Sequence, residues 1–301
     1  MSTISPTPAH RADGVERYRS RLFGIAYRML GDVQDAEDLV QETYLRWHRS
    51  ARDGVHAPEA WLVAVVSRLA IDRLRRVATE RAAYVGTWLP EPLATDDRLA
   101  PDRGVELTSD LSVAFLVLLE RLAPEERAAF LLREVFDTGY DEIARILEKS
   151  EAATRQMVHR ARERVRSDRA RFSPEPDAQE QLLHRFLAAL EADDKEAMLA
   201  VIAPDATFMS DGGGVVSAAR NVIMGSDRIV RFLLSLEAKG RGRIVNRVMW
   251  LNGAPAVVTH VDGRLYFATS FETDGHRLLA AYRVLNPNKL RHLAAALERR
   301  P

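Results

Sequence analysis

Arg155, His159, Arg162 and Arg166 recur at i, i+4, i+7 and i+11, a spacing that lines them along one side of a helix. Guanidinium groups so placed can bond guanine edges bidentately or neutralise phosphates, and Gln156 beside them carries an amide able to read a base. From Lys149 to Arg171 eight bases (Lys149, Arg155, Arg160, Arg162, Arg164, Arg166, Arg169 and Arg171) face three acids (Glu151, Glu163 and Asp168). The segment is therefore basic although the whole chain has zero net charge. The plainer alternative is an ordinary helix with a solvated arginine-rich face. A second basic cluster, Arg68, Arg73, Arg75 and Arg76 around Asp72, lies about eighty residues earlier. Two separated cationic surfaces suit two contacts on one nucleic acid. Between them in character stands the run Asp32 to Glu42, with five acids and no base. Asp35, Asp38 and Glu42 at i, i+3 and i+7 would repel phosphate and suit a protein-docking face. A solubilising acidic face with good helix N-terminal electrostatics is the alternative.

Other chemistry is narrower. Cysteine is absent, which excludes disulfides, thiol switching and Cys-ligated zinc or iron–sulfur sites. Towards the C-terminus Asp205, Asp211, His260 and Tyr266 are polar residues that could enter a pocket. Proton abstraction next to a carbonyl needs a desolvated carboxylate and an oxyanion donor in fixed geometry, and the spacing of these residues does not demonstrate it. The expectation is no catalytic residue, no metal and no cofactor.

The elements that must position these residues change in character along the 301 residues, 47% of them hydrophobic, which suffices for several cores. Leu22, Ala26, Met29 and Leu30 predict a helix ended by Gly31. Ala36, Leu39, Val40, Thr43, Tyr44 and Trp47 predict a second from Asp32. A third starts at Pro58, runs to about Val77, and turns Leu62, Val65, Val66 and Leu69 inward. From Ala82 to Leu107, Gly86, Pro90, Pro92, Pro101 and Gly104 mark a connecting segment, but its Trp88 and Leu89 predict that it is packed rather than free. Helical periodicity resumes at Ser109. Pro124 opens a helix with Ala128, Leu131, Leu132 and Val135 inward, Asp137-Thr138-Gly139 turns the chain, and a short helix carries Ile143, Ala144 and Leu147. Ser150 can cap the next helix, with Met157, Ala161 and Val165 buried, giving helix-turn-helix spacing. After Ser173-Pro174-Glu175-Pro176 the texture changes. Helices are predicted at Ala178–Asp194, Lys195–Ala203 and Gly225–Ala238. Strands are predicted at Arg243–Leu251, Ala256–Val261, Arg264–Glu272 and Leu278–Leu285, as an antiparallel meander with turns at Asn252-Gly253, Asp262-Gly263 and Asp274-Gly275. Asn286-Pro287 starts a last helix.

Several of these segments resemble a known family. Tyr27-Arg28-Met29-Leu30-Gly31-Asp32, the run Asp35 to Thr43, Ala60-Trp61-Leu62 and the run Arg68 to Arg76 resemble domain two of extracytoplasmic-function sigma factors. Pro124-Glu125-Glu126-Arg127, Tyr140-Asp141-Glu142-Ile143-Ala144 and Arg160-Ala161-Arg162 resemble domain four. The C-terminal region resembles the SnoaL-like fold, a cone-shaped α+β barrel related to ketosteroid isomerases. Trp88-Leu89-Pro90-Glu91-Pro92, Asp211-Gly212-Gly213-Gly214 and Asn286-Pro287-Asn288-Lys289-Leu290 match the subgroup that carries it fused.

The resemblance implies a multidomain protein: an all-α domain over 11–81, a linker over 82–107, an all-α helix-turn-helix domain over 108–172 and an α+β domain over 178–297. Asp35, Glu37, Asp38, Gln41 and Glu42 would dock on the β′ clamp helices of RNA polymerase core, which also offers its β flap. Trp61, Arg68, Asp72, Arg73, Arg75 and Arg76 would catch the single-stranded minus-ten element of promoter DNA. Arg155, Gln156, His159, Arg160, Arg162 and Arg166 would read the minus-thirty-five duplex. Trp88, Leu89, Pro90, Asp211, Gly212, Gly213, Gly214, Asn286, Pro287 and Lys289 would join linker to extension, a regulator in cis with room for a small ligand. Arg68 stands where many relatives carry asparagine, and Val215 where the subgroup usually has lysine. A cytoplasmic protein, monomeric when free, follows, since Met1 to His10 lack a basic start and an apolar stretch and no run of eighteen apolar residues occurs. Two alternatives are a ligand-responsive helix-turn-helix regulator and an isomerase-like enzyme fused to a DNA-binding module.

Overall fold

The computed structural model describes residues 14–50, 57–95, 111–168, 175–237 and 243–299. Pro101, Gly104 and the Ser173-Pro174 boundary lie outside them. Among the described residues, 14–78 and 119–167 form one compact unit, and 79–95, 111–118 and 168–299 form another.

In the first unit, α1 (Arg19–Leu30) buries Leu22, Ala26, Met29 and Leu30 as predicted. It stops at Gly31, whose φ of 66° is left-handed and whose N–H reaches the Tyr27 carbonyl. Asp32 then caps α2 (Val33–Arg49), its carboxylate accepting the Asp35 N–H at 2.8 Å. α3 (Pro58–Ala82) runs longer than predicted. Its buried stripe is Leu62, Val63, Val66, Ser67, Ala70, Ile71, Leu74 and Val77, rotated by about one position, so the expected Val65 and Leu69 are only half-buried. α5 (Pro124–Glu134) and α6 (Tyr140–Leu147) are separated by the predicted turn, where Asp137 takes a φ of 48°. Within these two helices Ala128, Leu131, Leu132, Ile143 and Ala144 are buried, whereas Val135 and Leu147 are half-buried and Ile146 fills the inner position instead. The Ser150 hydroxyl accepts the Ala153 N–H at the start of α7 (Glu151–Asp168), which buries Thr154, Met157, Val158, Ala161 and Val165. Arg127 of α5, only 2% exposed, ties the helices together: it donates to the Met29 carbonyl at 2.7 Å and pairs with Glu120.

The second unit contains the linker, α4 (Val113–Leu119) up to residue 118, α8 (Pro176–Glu191), α9 (Lys195–Val201), β1 (Ile202–Asp211), β2 (Ile223–Met224), α10 (Ser226–Glu237), β3 (Ile244–Leu251), β4 (Ala254–Val261), β5 (Arg264–Thr273), β6 (Leu278–Val284) and α11 (Pro287–Glu298). The strand order is β2-β1-β6-β5-β4-β3. β3 to β6 form the predicted meander, with Asn252-Gly253 and Asp262-Gly263 all at positive φ as two-residue hairpin turns require. β1, which the sequence reading did not predict as a strand, adds a parallel pairing with β6 to that antiparallel meander. Ile202 and Ala203 begin that strand rather than ending a helix. Pro204 and Asp205 break its alternation, and its pairing is irregular between Ile202 and Thr207. Alternate residues feed opposite faces of the sheet. Val257 joins a core with Leu182, Phe186, Met198, Phe208 and Val230, while Ala256 and Val258 join one with Leu89, Val113, Tyr282, Leu290 and Leu293.

Candidate nucleic-acid interface and linker clasp

α2 carries the acids, and the structure sorts them. Asp35 accepts Arg73 Nε at 3.0 Å on both carboxylate oxygens, and Glu37 pairs with Arg19. Burial, helped by Asp32 and Asp38, lifts the Asp35 carboxyl above its ordinary range against the pull of Arg73. These two acids are thus engaged inside the unit. Asp38 and Gln41 are exposed and Glu42 half-buried; Asp38 accepts Gln34 at 2.8 Å, and Glu42 pairs with Arg46 one turn on. Sequence reasoning missed Leu45. It is 49% exposed and falls at i+7, i+4 and i+3 from Asp38, Gln41 and Glu42, so it completes one open face with an apolar centre. The signal was available, since Leu45 lies off the predicted inner stripe of that helix.

The basic end of α3 does not present all its arginines to solvent. Trp61 packs edge-on against Trp47 at 5.3 Å. Arg73 is held by Asp35. Arg68 donates to the Arg145 and Ile146 carbonyls at 2.8 and 3.0 Å and lies 3.6 Å from Glu148. Arg75 bonds Asp72 at 3.1 Å and Glu125 at 2.6 Å. Arg76 is exposed, its Nε donating to the Asp72 carbonyl.

On α7, Arg155, Gln156, His159 and Arg160 are exposed and border one shallow depression. Arg155 pairs with Glu151 and lies over the Tyr140 ring at 4.3 Å, and His159 is 3.5 Å from Glu163. Arg162 braces α7 to α5 through Glu134 at 2.6 Å, and that carboxylate raises the guanidinium pKa further. Arg164, 2.6 Å from Glu126, makes a parallel brace. Arg166 belongs to α7, but its side chain lies outside the described residues.

The second unit gathers the three linker and extension motifs at one buried point. Asp211, 0% exposed, accepts the Tyr84 hydroxyl at 2.6 Å and the Gly213 N–H at 3.0 Å on one oxygen. Its other oxygen accepts the Leu89 N–H at 2.9 Å and Lys289 Nζ at 2.7 Å. Lys289 also donates to the Leu89 carbonyl at 2.5 Å, and its ammonium sits 4.1 Å from the Trp88 ring centre and 5.1 Å from that of Tyr84. Burial pulls the Lys289 pKa down while Asp211 opposes it, and burial with Asp211 pushes Tyr84 up. Asn286 caps α11 by accepting the Asn288 N–H, and its amide donates to Tyr84. Pro287 is the first residue of α11, and Pro90 is buried beside Leu89. The glycines are a steric requirement: a Cβ on Gly213, at φ 61°, would lie 2.2 Å from Asn286 Nδ2, and one on Gly212 would lie 2.4 Å from the Val216 carbonyl. Downstream, Leu93 and Thr95 exchange backbone bonds with Asn252 and Trp250, so the linker is packed as expected through Thr95.

The possible catalytic residues are not brought together. Asp205 and Tyr266 are exposed, Asp211 is spent in the clasp, and His260 is half-buried with an unbonded Nδ1, its pKa lowered by burial and Arg247. Between the sheet and its helices, Phe186, Phe208, Phe271, Thr269 and Arg283 border a cavity of about 20 Å³. That is space for roughly one water, far below the ~300 Å³ at which small-molecule pockets begin. Among the described residues no helix is long and apolar enough to cross a membrane.

Comparison with known proteins decides the family. Residues 15–80 match Sigma-70 region 2 and residues 112–165 match Sigma-70, region 4. The chain is 40% identical over 286 residues to the ECF RNA polymerase sigma factor SigJ of Mycobacterium tuberculosis, covering 91% of each chain. The chain belongs to the extracytoplasmic-function sigma factors. This sigma factor is also 29% identical to the probable ECF RNA polymerase sigma factor SigI of the same organism, over 93% of this chain and 94% of that one. The crystal structure of M. tuberculosis SigJ matches it with a TM-score of 0.75 at 35% identity, covering 93% of this chain and 98% of that one. Two helical sigma domains and a C-terminal sheet domain are therefore its architecture. As a sigma factor it binds core polymerase and promoter DNA to start transcription, and neither alternative reading is favoured.

Proposed function

We propose that this sigma factor docks on the β′ clamp helices of core polymerase through Asp38, Gln41, Glu42 and Leu45, with Asp35 and Glu37 shaping α2 from behind. An apolar residue ringed by charges is the usual anatomy of an energetic centre with a polar rim. Arg68, Arg75 and Arg76, with Trp61 and Asp72 on the same helix, meet the single-stranded minus-ten element. Arg155, Gln156, His159 and Arg160 read the minus-thirty-five duplex, with Arg162 bracing their helix, Arg166 continuing its basic side and the helix-turn-helix domain resting on the β flap. The sheet domain is not an enzyme. It holds the linker through the Asp211–Lys289 clasp, and by fixing 84–95 it sets how far the two promoter-reading domains can part. The protein works in the cytoplasm, where polymerase is.

The observation that carries this reading is the sorting of charge: an acidic open face on α2 and an arginine-lined open face on α7, each on its own helix. Charge reversal at Asp38 or Glu42 tests it. Affinity for purified core polymerase falls at least tenfold while binding of the full chain to duplex DNA is unchanged. Equal loss of both binding activities would show that the acidic face is not the dock.

A further inference from the structure

Tyr140, the first residue of α6, stands among the arginines of the helix-turn-helix domain. Its half-buried ring is fixed from the α5 side: Arg133 lies over it at 5.2 Å and is itself tied to the turn through the Thr138 carbonyl at 3.1 Å and Asp137 at 3.0 Å. On the α7 side Arg155 lies over the same ring at 4.3 Å, with Glu151 one turn earlier holding one end of its guanidinium. Arg162, two turns beyond Arg155, is claimed by Glu134 at 2.6 Å, and after Glu134 the Tyr140 hydroxyl is the next group favouring its charge. One aromatic side chain thus adjoins an arginine of α5 and two of α7. Of those two, Arg155 is the one near the N-terminal end, the part of a recognition helix that meets base edges, and it stays exposed beside Gln156, His159 and Arg160.

We propose that Tyr140 is a positioning residue for base readout: its ring presets the guanidinium of Arg155 so that Arg155 recognises a guanine of the minus-thirty-five duplex. The inference rests on the assignment of Arg155 to that duplex under the proposed function. Bidentate bonding to guanine O6 and N7 demands that the planar fork arrive in one orientation, and an arginine free in water must surrender several rotatable bonds to reach it. A ring face holds the cation through its quadrupole without consuming N–H donors, so the donors not taken by Glu151 stay available to a base. The ordering is thereby done in the folded protein, before DNA arrives. Tyr140 acts through Arg155 and has no need to touch DNA. A merely structural role for the ring, stabilising the turn between α5 and α6, would weaken binding to every sequence alike, whereas presetting one guanidinium affects one base position.

The test uses the full-length protein with core polymerase on a promoter whose minus-thirty-five element is randomised, the bound DNA being sequenced. Wild type should select guanine at the position read by Arg155, identified as the one that Arg155→Ala flattens. Tyr140→Leu should weaken the guanine preference at that same position about two- to fivefold, the range of a cation–π contact at an exposed site, with other positions within about twofold. Tyr140→Phe keeps the ring face and should keep the preference. Tyr140→Leu added to Arg155→Ala should cost nothing further at that position, because the ring acts through that guanidinium. Where leucine loosens α6, as exchange at the Ile143 and Ala144 amides reports, Tyr140→Met fills the same space without an aromatic face and repeats the test. Uniform weakening across all positions, equal loss in Tyr140→Phe and Tyr140→Leu, or additive loss in the double variant would overturn the inference. An unchanged selection profile in Arg155→Ala would instead overturn the assignment of Arg155 in the proposed function.

Discussion

Lys289→Met isolates the Asp211 carboxylate in the interior of the sheet domain. Asp211 is 0% exposed, and the substitution removes one of its four donors, leaving Tyr84, Gly213 and Leu89. It also removes the ammonium from the Trp88 face and the donor to the Leu89 carbonyl. Breaking a buried ion pair by deleting one partner costs about 3–5 kcal/mol, because the remaining charge stays desolvated. Global melting of a two-unit chain is not a single transition, so the local readout is preferable: hydrogen exchange of the Leu89 amide, which donates to Asp211. Where exchange requires release of the clasp, its protection factor should fall by about two orders of magnitude or more. Lys289→Met combined with Asp211→Asn replaces the charged pair by a neutral one, and most of the protection should return. A loss below about 1 kcal/mol in the single variant, or an equal loss in the double, would refute the view that the buried charge pair holds the linker.

Gly213→Ala should destabilise the same point, since its left-handed φ alone costs about 1–2 kcal/mol before the contact with Asn286 is relieved; exchange at Leu89 checks it. Leu45→Ala should weaken core polymerase binding roughly fivefold or more, about 1 kcal/mol at an interface centre, with unaltered unfolding by urea. The Tyr84 pKa is raised on folding, so the folded state keeps a proton that the unfolded state loses above pH 10. Its contribution is full below pH 10 and is lost as pH rises further, and Tyr84→Phe should flatten that part of the stability profile measured at Leu89. Asp211→Asn should change the yield of promoter-specific transcript in a reconstituted reaction while leaving exchange protection in α2 and α7 at wild-type levels.

Much of this was legible before any coordinates. Gly31, Asp32, Pro58, Pro124 and Ser150 act as local punctuation through capping and fixed backbone angles, so the first helix stop and the helix starts follow directly from residue type. The hairpins at Asn252-Gly253 and Asp262-Gly263 are equally local. β1 was not legible because its signal is not local: it pairs with β6 across about seventy residues, while Pro204 and Asp205 hide its alternation. Among candidate site residues, spacing predicts which side chains share a face but not which of them find partners inside the protein. Asp35 and Arg73, which the resemblance gives to different partners, meet each other. Arg162 sat on the expected side of α7, yet Glu134 on another helix claims it. Only resemblance groups the linker motifs in the sequence, and the reason they belong together, four donors converging on a single buried carboxylate, is a fact of three-dimensional packing.

Transcription from purified core polymerase on fragments of the genome that encodes this chain, with transcript starts mapped by sequencing, tests the central claim most directly. Wild-type protein should create defined start sites that core alone lacks, Glu42→Lys should abolish them, and Arg155→Ala with Arg160→Ala should weaken them in proportion to their dependence on the minus-thirty-five element. Identical start patterns with and without the protein would contradict the account.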